Sequence, residues 1–446
     1  MSKKMNTSPI SGMQEFLPGK QAIFNEIKTK IADTYKKHGF LNIETPTIDR
    51  TDILFAKAGG DTEKQIYRVY KTEETAKDAD QALRFDHTVP LARYVVEHES
   101  DLHFPFSVTQ IGRNFRGERA QKGRFREFYQ CDVDVIGRNT LPIYYDAKVI
   151  ACFYDALKSF VKTNVKIRIS NRKFLTGALE ILGVEDKAAE ISHIIDHAEK
   201  VPEEKTVSAL KELKISEENV VNITTFMNVH GDIRELEKID FLKINIAAKK
   251  SDAKNDTLSE GLSELITVME DLKAYGLGDA ATIDLKIVRG LDYYTGTVFE
   301  ACLPDYPELG SIGGGGRYEN LASHYTDQKF PGVGASIGLS RLFFILSENN
   351  LIDSAEKKPI DIAIVPIDAD DIELRTAAYN LARELRENGK LVEIVLSGKK
   401  LGDKITYATK IAGSGIIFGG DELKSKKYQI KNFTTGKQEQ ITFNDR

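Results

Sequence analysis

Hydrophobic positions near the start of the chain recur every four residues, which predicts an amphipathic helix over residues 19–37. The apolar stripe of this helix would consist of Ile23, Ile27, Ile31 and Tyr35. An extended segment, "GFLNIETPTID", follows and is interrupted by a proline. A second helical pattern covers residues 143–162. The first part of the chain therefore alternates helical with extended segments.

Two strand-like arms between residues 104 and 137 enclose a basic loop that contains glycine. If residues 125–136 form a strand, its side chains alternate between two faces. One face would carry Tyr129, Cys131, Val133 and Val135, and the other Arg126, Phe128, Gln130, Asp132 and Asp134. The loop tip adds Arg116, Arg119, Lys122 and Arg124. Carboxylates deep in a groove with guanidinium groups at its mouth would suit a ligand with a cationic end and a phosphate end, but a solvated hairpin fits the same pattern.

The sequence pattern changes at about residue 178, and residues 178–275 show repeated helical segments with a single proline. This region is predicted to be a mostly helical insertion. Strand-like and glycine-rich segments return from residue 282, and residues 347–359 form a polar linker. Strand and helix patterns then alternate, which predicts a separate C-terminal domain. The sequence thus predicts an α+β protein with domains at residues 1–346 and 360–446.

Composition and charge narrow the functional classes. The 446 residues carry a net charge of −5, so a nucleic-acid partner would have to meet local positive patches. The N-terminus lacks an apolar signal region, and a run of about 18 apolar residues occurs nowhere. Cys131, Cys152 and Cys302 form no CxxC pair, which argues against a disulfide framework and a cysteine-based zinc site. We therefore expect a cytoplasmic protein without a membrane partner.

Two further segments carry candidate chemistry. "VRGLDYYTGTVFEA" places Arg289 on a buried-looking strand, where its charge needs an anionic partner. Asp292 would be a structural partner, and a phosphate a functional one. "SIGGGGRYENL" has four consecutive glycines, which permit close backbone approach to a ligand, although a tight turn is the plainer interpretation. It lacks the G-K-[ST] ending of a P-loop.

Three common motifs are excluded. "GASIG" around Ser336 fits the nucleophile elbow, but that motif requires a later histidine and the last one is His324. His193 and His197 have a spacing that can hold zinc on a helix, but the general-base glutamate is absent and a solvated helix face fits better. No G-x-G-x-x-G opens a βαβ unit. We expect no metal site built from protein side chains.

Several of these segments resemble the histidyl-tRNA synthetase family of class II aminoacyl-tRNA synthetases, and the resemblance runs over essentially the whole chain. "GFLNIETPTID" is similar to the first class II motif, which serves dimerisation in the family. "FRGERAQKGRFREFYQCDVDVIG" is similar to the second and "FPGVGASIGLSRL" to the third. "LRFDHTVPLARY" and "VRGLDYYTGTVFEA" resemble segments particular to the histidine enzyme.

The resemblance implies a catalytic domain built on an antiparallel sheet, with a helical insertion, and a C-terminal α/β anticodon-binding domain. It implies a homodimer. The implied reaction has two steps. The carboxylate of L-histidine attacks the α-phosphate of ATP to give histidyl-adenylate and pyrophosphate, and histidine then passes to the 3′ end of tRNA(His). Mg²⁺ would accompany ATP as a cofactor.

The resemblance also implies residues for the phosphate and tRNA sites. Arg116 and Arg289 would contact the α-phosphate of ATP, and Arg341 its γ-phosphate end. Arginine suits these positions because its guanidinium group is planar and permanently charged. Gln121 and Arg126 would approach the tRNA acceptor end. The three phosphate-binding arginines are the residues we expect to be catalytic.

The substrate histidine would be recognised by polar side chains around its α-ammonium group and around its imidazole ring. The α-ammonium group would meet Asp86, Thr88 and Gln130. The two imidazole nitrogens would bind Asp134 and Tyr294, in a pocket shaped by Tyr293 and Tyr318. A site of this kind rejects analogues that lack the imidazole nitrogens, because its own polar atoms would be left unpaired.

Two relatives with other functions are the alternatives. The regulatory subunit of ATP phosphoribosyltransferase resembles the catalytic domain but lacks the anticodon-binding domain and much of the ATP site. Here Arg116, Arg289 and Arg341 are all present and an αβ domain follows the linker, which favours the ligase. A synthetase-like sensor of uncharged tRNA is disfavoured, because such sensors normally carry further domains for which this chain has no room.

Overall fold

The computed structural model describes residues 5–55, 63–73, 75, 79–246, 250–252, 255–288, 294–319, 322–353, 358–398 and 400–442. The chain divides into two compact units, one formed by residues 1–14 and 27–353 and the other by residues 15–26 and 354–446. Within the described ranges, no helix combines the length and the apolar character that crossing a membrane would require.

The helices of the described residues are α1 (Pro18–Lys37), α2 (Thr51–Leu54), α3 (Thr88–Glu97), α4 (Tyr144–Lys158), α5 (Arg172–Ile181), α6 (Ala188–His197), α7 (Glu203–Glu212), α8 (Glu217–Met227), α9 (Asp256–Ala274), α10 (Leu339–Glu348), α11 (Ile372–Glu387), α12 (Leu401–Ile411) and α13 (Gly420–Ser425). The helix predicted over residues 19–37 is confirmed as α1. The one predicted over residues 143–162 is α4, which ends four residues earlier than predicted.

The strands are β1 (Leu41–Asn42), β2 (Ile48–Arg50), β3 (Arg68–Val69), β4 (Gln81–Leu83), β5 (Phe106–Phe115), β6 (Glu127–Ile136), β7 (Lys166–Asn171), β8 (His230–Gly231), β9 (Ile244–Asn245), β10 (Lys250–Ser251), β11 (Ala281–Asp284), β12 (Tyr294–Cys302), β13 (Gly313–Tyr318), β14 (Gly332–Ile337), β15 (Ile360–Pro366), β16 (Val392–Ile394), β17 (Ala412–Phe418), β18 (Lys427–Asn432) and β19 (Gln438–Thr442). The basic loop lies between β5 and β6, as the two strand-like arms predict.

Side-chain caps explain where several helices begin. Asn171, Ser216, Asn255 and Asp371 precede α5, α8, α9 and α11, and each accepts a hydrogen bond from a backbone N–H of the first turn. These bonds satisfy donors that a helix leaves unpaired at its start. The local sequence therefore determines these boundaries directly.

The first unit is built on a large mixed sheet with strand order β1-β5-β6-β14-β13-β12-β7-β11-β8. Neighbouring strands from β5 to β7 in this order are antiparallel, as the resemblance implies. The pairs β1–β5 and β7–β11 are parallel, so the expectation of an antiparallel sheet holds for the centre and is wrong at these two pairs. Small sheets β2-β4-β3 and β10-β9 lie outside it.

Strand β6 shows the alternation that the sequence predicts. Cys131, Val133 and Val135 are completely buried on one face. On the opposite face Asp132 and Asp134 are also buried, at 4% and 6% exposure. The interpretation of this hairpin as one with a solvated polar face is therefore wrong, because the carboxylates of β6 are covered by neighbouring elements.

The region predicted to be a helical insertion contains the end of α5 and the whole of α6, α7, α8 and α9. Helix α9 packs closely against α5. The short strand β8 pairs with β11 at the edge of the large sheet, so this part of the chain is not purely helical. Its apolar interior includes the fully buried Leu210, Leu236 and Leu265.

The second unit contains a sheet with strand order β16-β15-β17-β18-β19. The first three strands of this order are parallel and the last two pairings are antiparallel. The alternation of strands and helices predicted beyond residue 360 is thus present, and α13 is a short helix that the pattern did not predict. Helix α11 ends just before Gly389, whose φ of +76° favours glycine.

Candidate active site

The buried polar face of β6 lines a cavity in the first unit, which we call the carboxylate cavity. Its lining residues come from the start of α3 and the segment just before it, the β5–β6 hairpin, β12, β13 and β14. They are Asp86, Thr88, Arg116, Gln130, Asp132, Asp134, Tyr294, Tyr318, Gly334, Ala335 and Ser336. All the described residues that we assigned to histidine recognition lie here, together with Arg116. Arg289 and Tyr293 lie outside the described residues.

Asp134 occupies the floor of this cavity because β14 leaves space for it. Asp134 pairs in register with Gly334, and a Cβ at that glycine would lie 2.0 Å from Asp134 Oδ1. The hydroxyl of Tyr318 donates to the same oxygen at 3.0 Å. Burial raises the pKa of Asp134 well above its ordinary value, and the negative charge of Asp132 adds to this shift. The cavity thus favours a cationic or hydrogen-donating ligand at Asp134.

Asp86 and Thr88 are placed by the start of α3. Thr88 is the first residue of the helix, and Asp86 Oδ1 accepts a hydrogen bond of 3.1 Å from the backbone N–H of Val89. Burial raises the pKa of Asp86, while this hydrogen bond and the charge of Arg116 oppose the shift. A second carboxylate is therefore held in the wall of the same cavity.

Arg116 follows β5 and is held between two aromatic rings. Its guanidinium carbon lies 4.3 Å from the ring centre of Phe85 and 5.0 Å from that of Phe128. Its Nε donates to the carbonyl oxygen of Phe85 at 3.3 Å. Within the described part of the chain, its guanidinium group forms no ion pair with a carboxylate. The guanidinium group of Arg116 is held in one orientation, and its positive charge remains available to an anion.

A second pocket adjoins the carboxylate cavity, because Ser336 lines both. Its other lining residues are Ser311, Ile312, Gly313, Gly314, Gly338, Arg341, Leu342 and Ile345. Arg341 lies in the first turns of α10 and is exposed to solvent. The glycine run on β13 therefore forms part of a pocket wall that ends in a guanidinium group. We call this space the glycine pocket.

The glycine run also has a packing role. A Cβ at Gly315 would lie 1.9 Å from the carbonyl oxygen of Gly334, and one at Gly314 would lie 2.5 Å from that of Phe299. These glycines sit in a strand rather than in a turn, so the turn interpretation is wrong. The close approach of β13 to its neighbouring strands requires glycine at positions 314 and 315. Gly313 and Gly314 also line the glycine pocket.

Gln121 and Arg126, which we assigned to the tRNA acceptor end, lie in the loop between β5 and β6 and do not line the carboxylate cavity. Gln121 is exposed and pairs with Arg124 across the loop tip. The guanidinium group of Arg126 donates to the carbonyl oxygens of Glu118 and Ser11, at 3.0 and 3.4 Å. Arg126 therefore supports the loop through main-chain carbonyls.

The rejected motifs have other surroundings. His193 and His197 stack at 4.4 Å between ring centres on α6, and His197 Nδ1 lies 3.1 Å from the carbonyl oxygen of His193. In the part of the chain that the structure describes, no group of three or more histidine, cysteine, aspartate or glutamate side chains is placed to hold a metal ion. Ser336, the centre of the elbow-like motif, hydrogen-bonds to Asp132 and Gln130.

Sequence reasoning assigned no individual role to three polar residues in or beside this cavity: His87, Asp132 and Ser336. The signals for two of them were present. Alternation placed Asp132 on the face of Gln130 and Asp134, and His87 lies between Asp86 and Thr88. For Ser336 the sequence offered only the misleading elbow-like motif. Its hydrogen-bond partner Gln130 is about two hundred residues away in sequence, so no local pattern connects the two.

Comparison with known proteins identifies relatives along the whole chain. A family model described as "Histidyl-tRNA synthetase" matches residues 12–342, and one described as "Anticodon binding domain" matches residues 361–445. A protein from Clostridium tetani named histidine–tRNA ligase is 44% identical over 440 residues, which is 98% of this chain and 96% of the relative. One of the same name from Clostridium acetobutylicum is 42% identical over 448 residues, with complete coverage of both chains.

A solved structure shares the architecture as well. The crystal structure of histidyl-tRNA synthetase from Nostoc sp. PCC 7120 superposes with a TM-score of 0.85 at 34% sequence identity. The match covers 98% of this chain and 97% of that one. Both the large mixed sheet and the C-terminal sheet unit fall within the shared region.

Proposed function

This chain belongs to the histidyl-tRNA synthetase family, and from that premise we propose that the carboxylate cavity binds L-histidine and the glycine pocket binds ATP. The activity of the chain is the ATP-dependent attachment of histidine to tRNA. The regulatory-subunit alternative is not favoured, because relatives named histidine–tRNA ligase match over the full length. The observation that carries the proposed site is the position of Asp134, which is buried, bonded to Tyr318 and in the wall of the same cavity as Tyr294 and Gln130.

The two ends of histidine match the two ends of the carboxylate cavity. Asp86 and Gln130 offer oxygen atoms to the α-ammonium group, with Thr88 beside them. Asp134 and Tyr294 are assigned to the imidazole nitrogens, with Tyr318 fixing the carboxylate. Because Tyr318 gives its hydrogen to Asp134 Oδ1, the Asp134 carboxylate accepts one internal bond and retains further lone pairs for the substrate.

Activation needs charge stabilisation at phosphorus and an in-line approach of the histidine carboxylate. Arg116 lies in the cavity wall and is proposed to neutralise the α-phosphate. Arg341 lies in the adjoining glycine pocket and is proposed to bind the far phosphates of ATP. Arg289, proposed as a second ligand of the α-phosphate, lies outside the described residues. No nucleophile on the protein is required, since the substrate carboxylate attacks.

We propose that Mg²⁺ enters with ATP, held by phosphate oxygens. Magnesium prefers oxygen ligands and is commonly bound through substrate phosphates with few protein carboxylates. Asp86, Asp132 and Asp134 already accept hydrogen bonds from protein donors, which suits them to an organic cation better than to a metal cage. The ion would supply additional neutralisation of the phosphate charge.

We further propose a cytoplasmic homodimer that uses residues 360–446 to bind the anticodon end of tRNA(His), with Gln121 and Arg126 near its acceptor end. Leu41 and Ile48 in the segment resembling the first class II motif are 62% and 43% exposed, which supports an apolar contact with a second copy. Sedimentation of the purified chain tests the dimer, and a monomeric mass would contradict it.

Histidine-dependent exchange of pyrophosphate into ATP tests the proposed histidine site. The unmodified chain should show this exchange. Asp134→Asn should raise the KM for histidine about tenfold to a hundredfold, because a hydrogen bond to a charged group contributes about 1.5–3 kcal/mol. The KM for ATP should change by less than about twofold. Asp155→Asn, which changes an exposed carboxylate, is the matched control. An unchanged KM for histidine in Asp134→Asn would remove Asp134 from the site.

The pH dependence of histidine binding should also report Asp134. Its pKa is raised, so its carboxyl group becomes protonated at a higher pH than an exposed aspartate, and the neutral form no longer attracts a cation. The KM for histidine should therefore rise as pH falls through this raised pKa, by up to about tenfold per pH unit because one proton is involved. Asp134→Asn should lose this part of the profile and retain the part due to free histidine. Identical profiles for the two proteins would contradict the assignment.

A further inference from the structure

The side-chain amide of Gln130 is bonded at both ends. Asn114 Nδ2 donates to Gln130 Oε1 at 2.7 Å, and Gln130 Nε2 donates to Ser336 Oγ at 2.7 Å. Ser336 Oγ in turn lies 2.5 Å from Asp132 Oδ1. An ionised carboxylate only accepts hydrogen bonds, so the single hydroxyl hydrogen of Ser336 must point to Asp132. Ser336 Oγ can then only accept a hydrogen bond from Gln130, and this requires the side-chain nitrogen of Gln130, Nε2, to face it.

Asp132 is itself fixed by a buried histidine. His87 Nδ1 lies 2.9 Å from Asp132 Oδ2, and the two side chains are 1% and 5% exposed. Because the carboxylate accepts, the hydrogen of this bond belongs to Nδ1. The other ring nitrogen, Nε2, has no hydrogen-bond partner among the described residues. Among the described residues, the His87 ring therefore hydrogen-bonds to Asp132 alone.

These bonds form a chain that converges on Asp132, because His87 and Ser336 both donate to its carboxylate and Gln130 donates to Ser336. We propose that His87 is a positioning residue for histidine binding, which acts through this chain to hold the Gln130 amide with its oxygen toward the α-ammonium group of the substrate. The inference rests on the proposed role of Gln130 in the histidine site. A reversed amide would present its –NH₂ group to the ammonium group, which has no lone pair with which to accept.

Stability alone gives little reason for such a chain. A buried ionic or polar pair of this kind can often be replaced by well-packed apolar residues without loss of stability. The reason is that the free energy needed to desolvate the polar groups nearly equals the free energy gained from their interaction. Asp132 and Ser336 lie in the wall of the cavity, and His87 is bonded to that wall through Asp132. A role in orienting the wall accounts for the placement.

Kinetics of pyrophosphate exchange with the full chain test this inference. His87→Leu keeps a similar volume and removes the donor, and it should raise the KM for histidine about tenfold while the KM for ATP changes less than about twofold. His87→Asn places an amide nitrogen at the position of Nδ1, the same number of bonds from the backbone. It should restore the KM for histidine to within about threefold of the unmodified chain. A failure of His87→Asn to improve on His87→Leu would overturn the inference.

A double-mutant cycle separates positioning from general structure. Gln130→Ala should raise the KM for histidine, and His87→Leu should then have no further effect on it. An equal effect of His87→Leu in both backgrounds overturns the inference, as does an unchanged KM for histidine in His87→Leu alone. If Gln130→Ala itself leaves that KM unchanged, the proposed role of Gln130 is wrong and the inference falls with it. Ser336→Ala, which breaks the chain one bond closer to Gln130, replaces His87→Leu in the cycle if that variant does not fold.

Discussion

Arg116→Ala should reduce the kcat of histidine-dependent pyrophosphate exchange by about a hundredfold to a thousandfold, the loss typical of removing one preorganised charge-stabilising group. The guanidinium group is fixed between Phe85 and Phe128 before any substrate arrives. It therefore needs little reorganisation when negative charge develops on the α-phosphate. The KM for histidine should change much less than kcat, because Arg116 is assigned to phosphate and not to the amino acid.

Two further variants sharpen this result. Arg116→Lys keeps the charge but loses the planar fork that stacks between the rings, so it should recover only part of the rate. Arg113→Ala is the matched control, since Arg113 lies on β5 three residues before Arg116, is 57% exposed and pairs with Glu127. It should stay within about twofold of the unmodified chain. Equal losses for Arg113→Ala and Arg116→Ala would show that the loss of positive charge in the hairpin, and not phosphate contact, lowers the rate.

The sequence predicted the part of this site that depends on local periodicity. Alternation along β6 separates Cys131 and Val133 from Gln130 and Asp134, because successive side chains of a strand point to opposite faces. The same pattern could not decide whether the polar face meets water or a cavity. That outcome depends on β14 and β13, which bring Gly334 and Tyr318 against Asp134 from about two hundred residues away. The segment resemblance supplied the assignment that periodicity left open.

The parts that escaped prediction depend on contacts between distant segments. The parallel pairing of β1 with β5 joins Leu41 to Val108, and nothing in either segment specifies its direction. His87 and Asp132 meet across 45 positions of sequence. The glycine run shows the same limit, because its residues serve both strand packing and a pocket wall, and only the neighbours of each glycine separate the two roles.

Arg317→Met should lower the free energy of unfolding of the first unit by about 3–5 kcal/mol, the cost typical of leaving one member of a buried ion pair unpaired. Arg317 lies on β13 and donates to Asp146 on α4, with its NH2 nitrogen 2.7 Å from Asp146 Oδ1. Further bonds run to the carbonyl oxygens of Leu141 and Pro142, at 2.9 and 3.1 Å. The side chains of Arg317 and Asp146 are 5% and 0% exposed. Urea denaturation followed by a probe in the first unit measures the change.

Removing both partners separates the cost of an unpaired charge from the value of the pair itself. Arg317→Met with Asp146→Leu should recover much of the lost stability, because no buried charge is then left without a partner. Arg138→Met is the matched control, since its ion pair with Glu99 involves a side chain that is 53% exposed, and it should cost less than about 1 kcal/mol. Arg317 also precedes Tyr318, whose hydroxyl is bonded to Asp134. If the Arg317–Asp146 pair anchors β13, Arg317→Met should raise the KM for histidine as well as destabilise the unit. A stable variant with an unchanged KM for histidine would show that β13 is held by its strand neighbours alone.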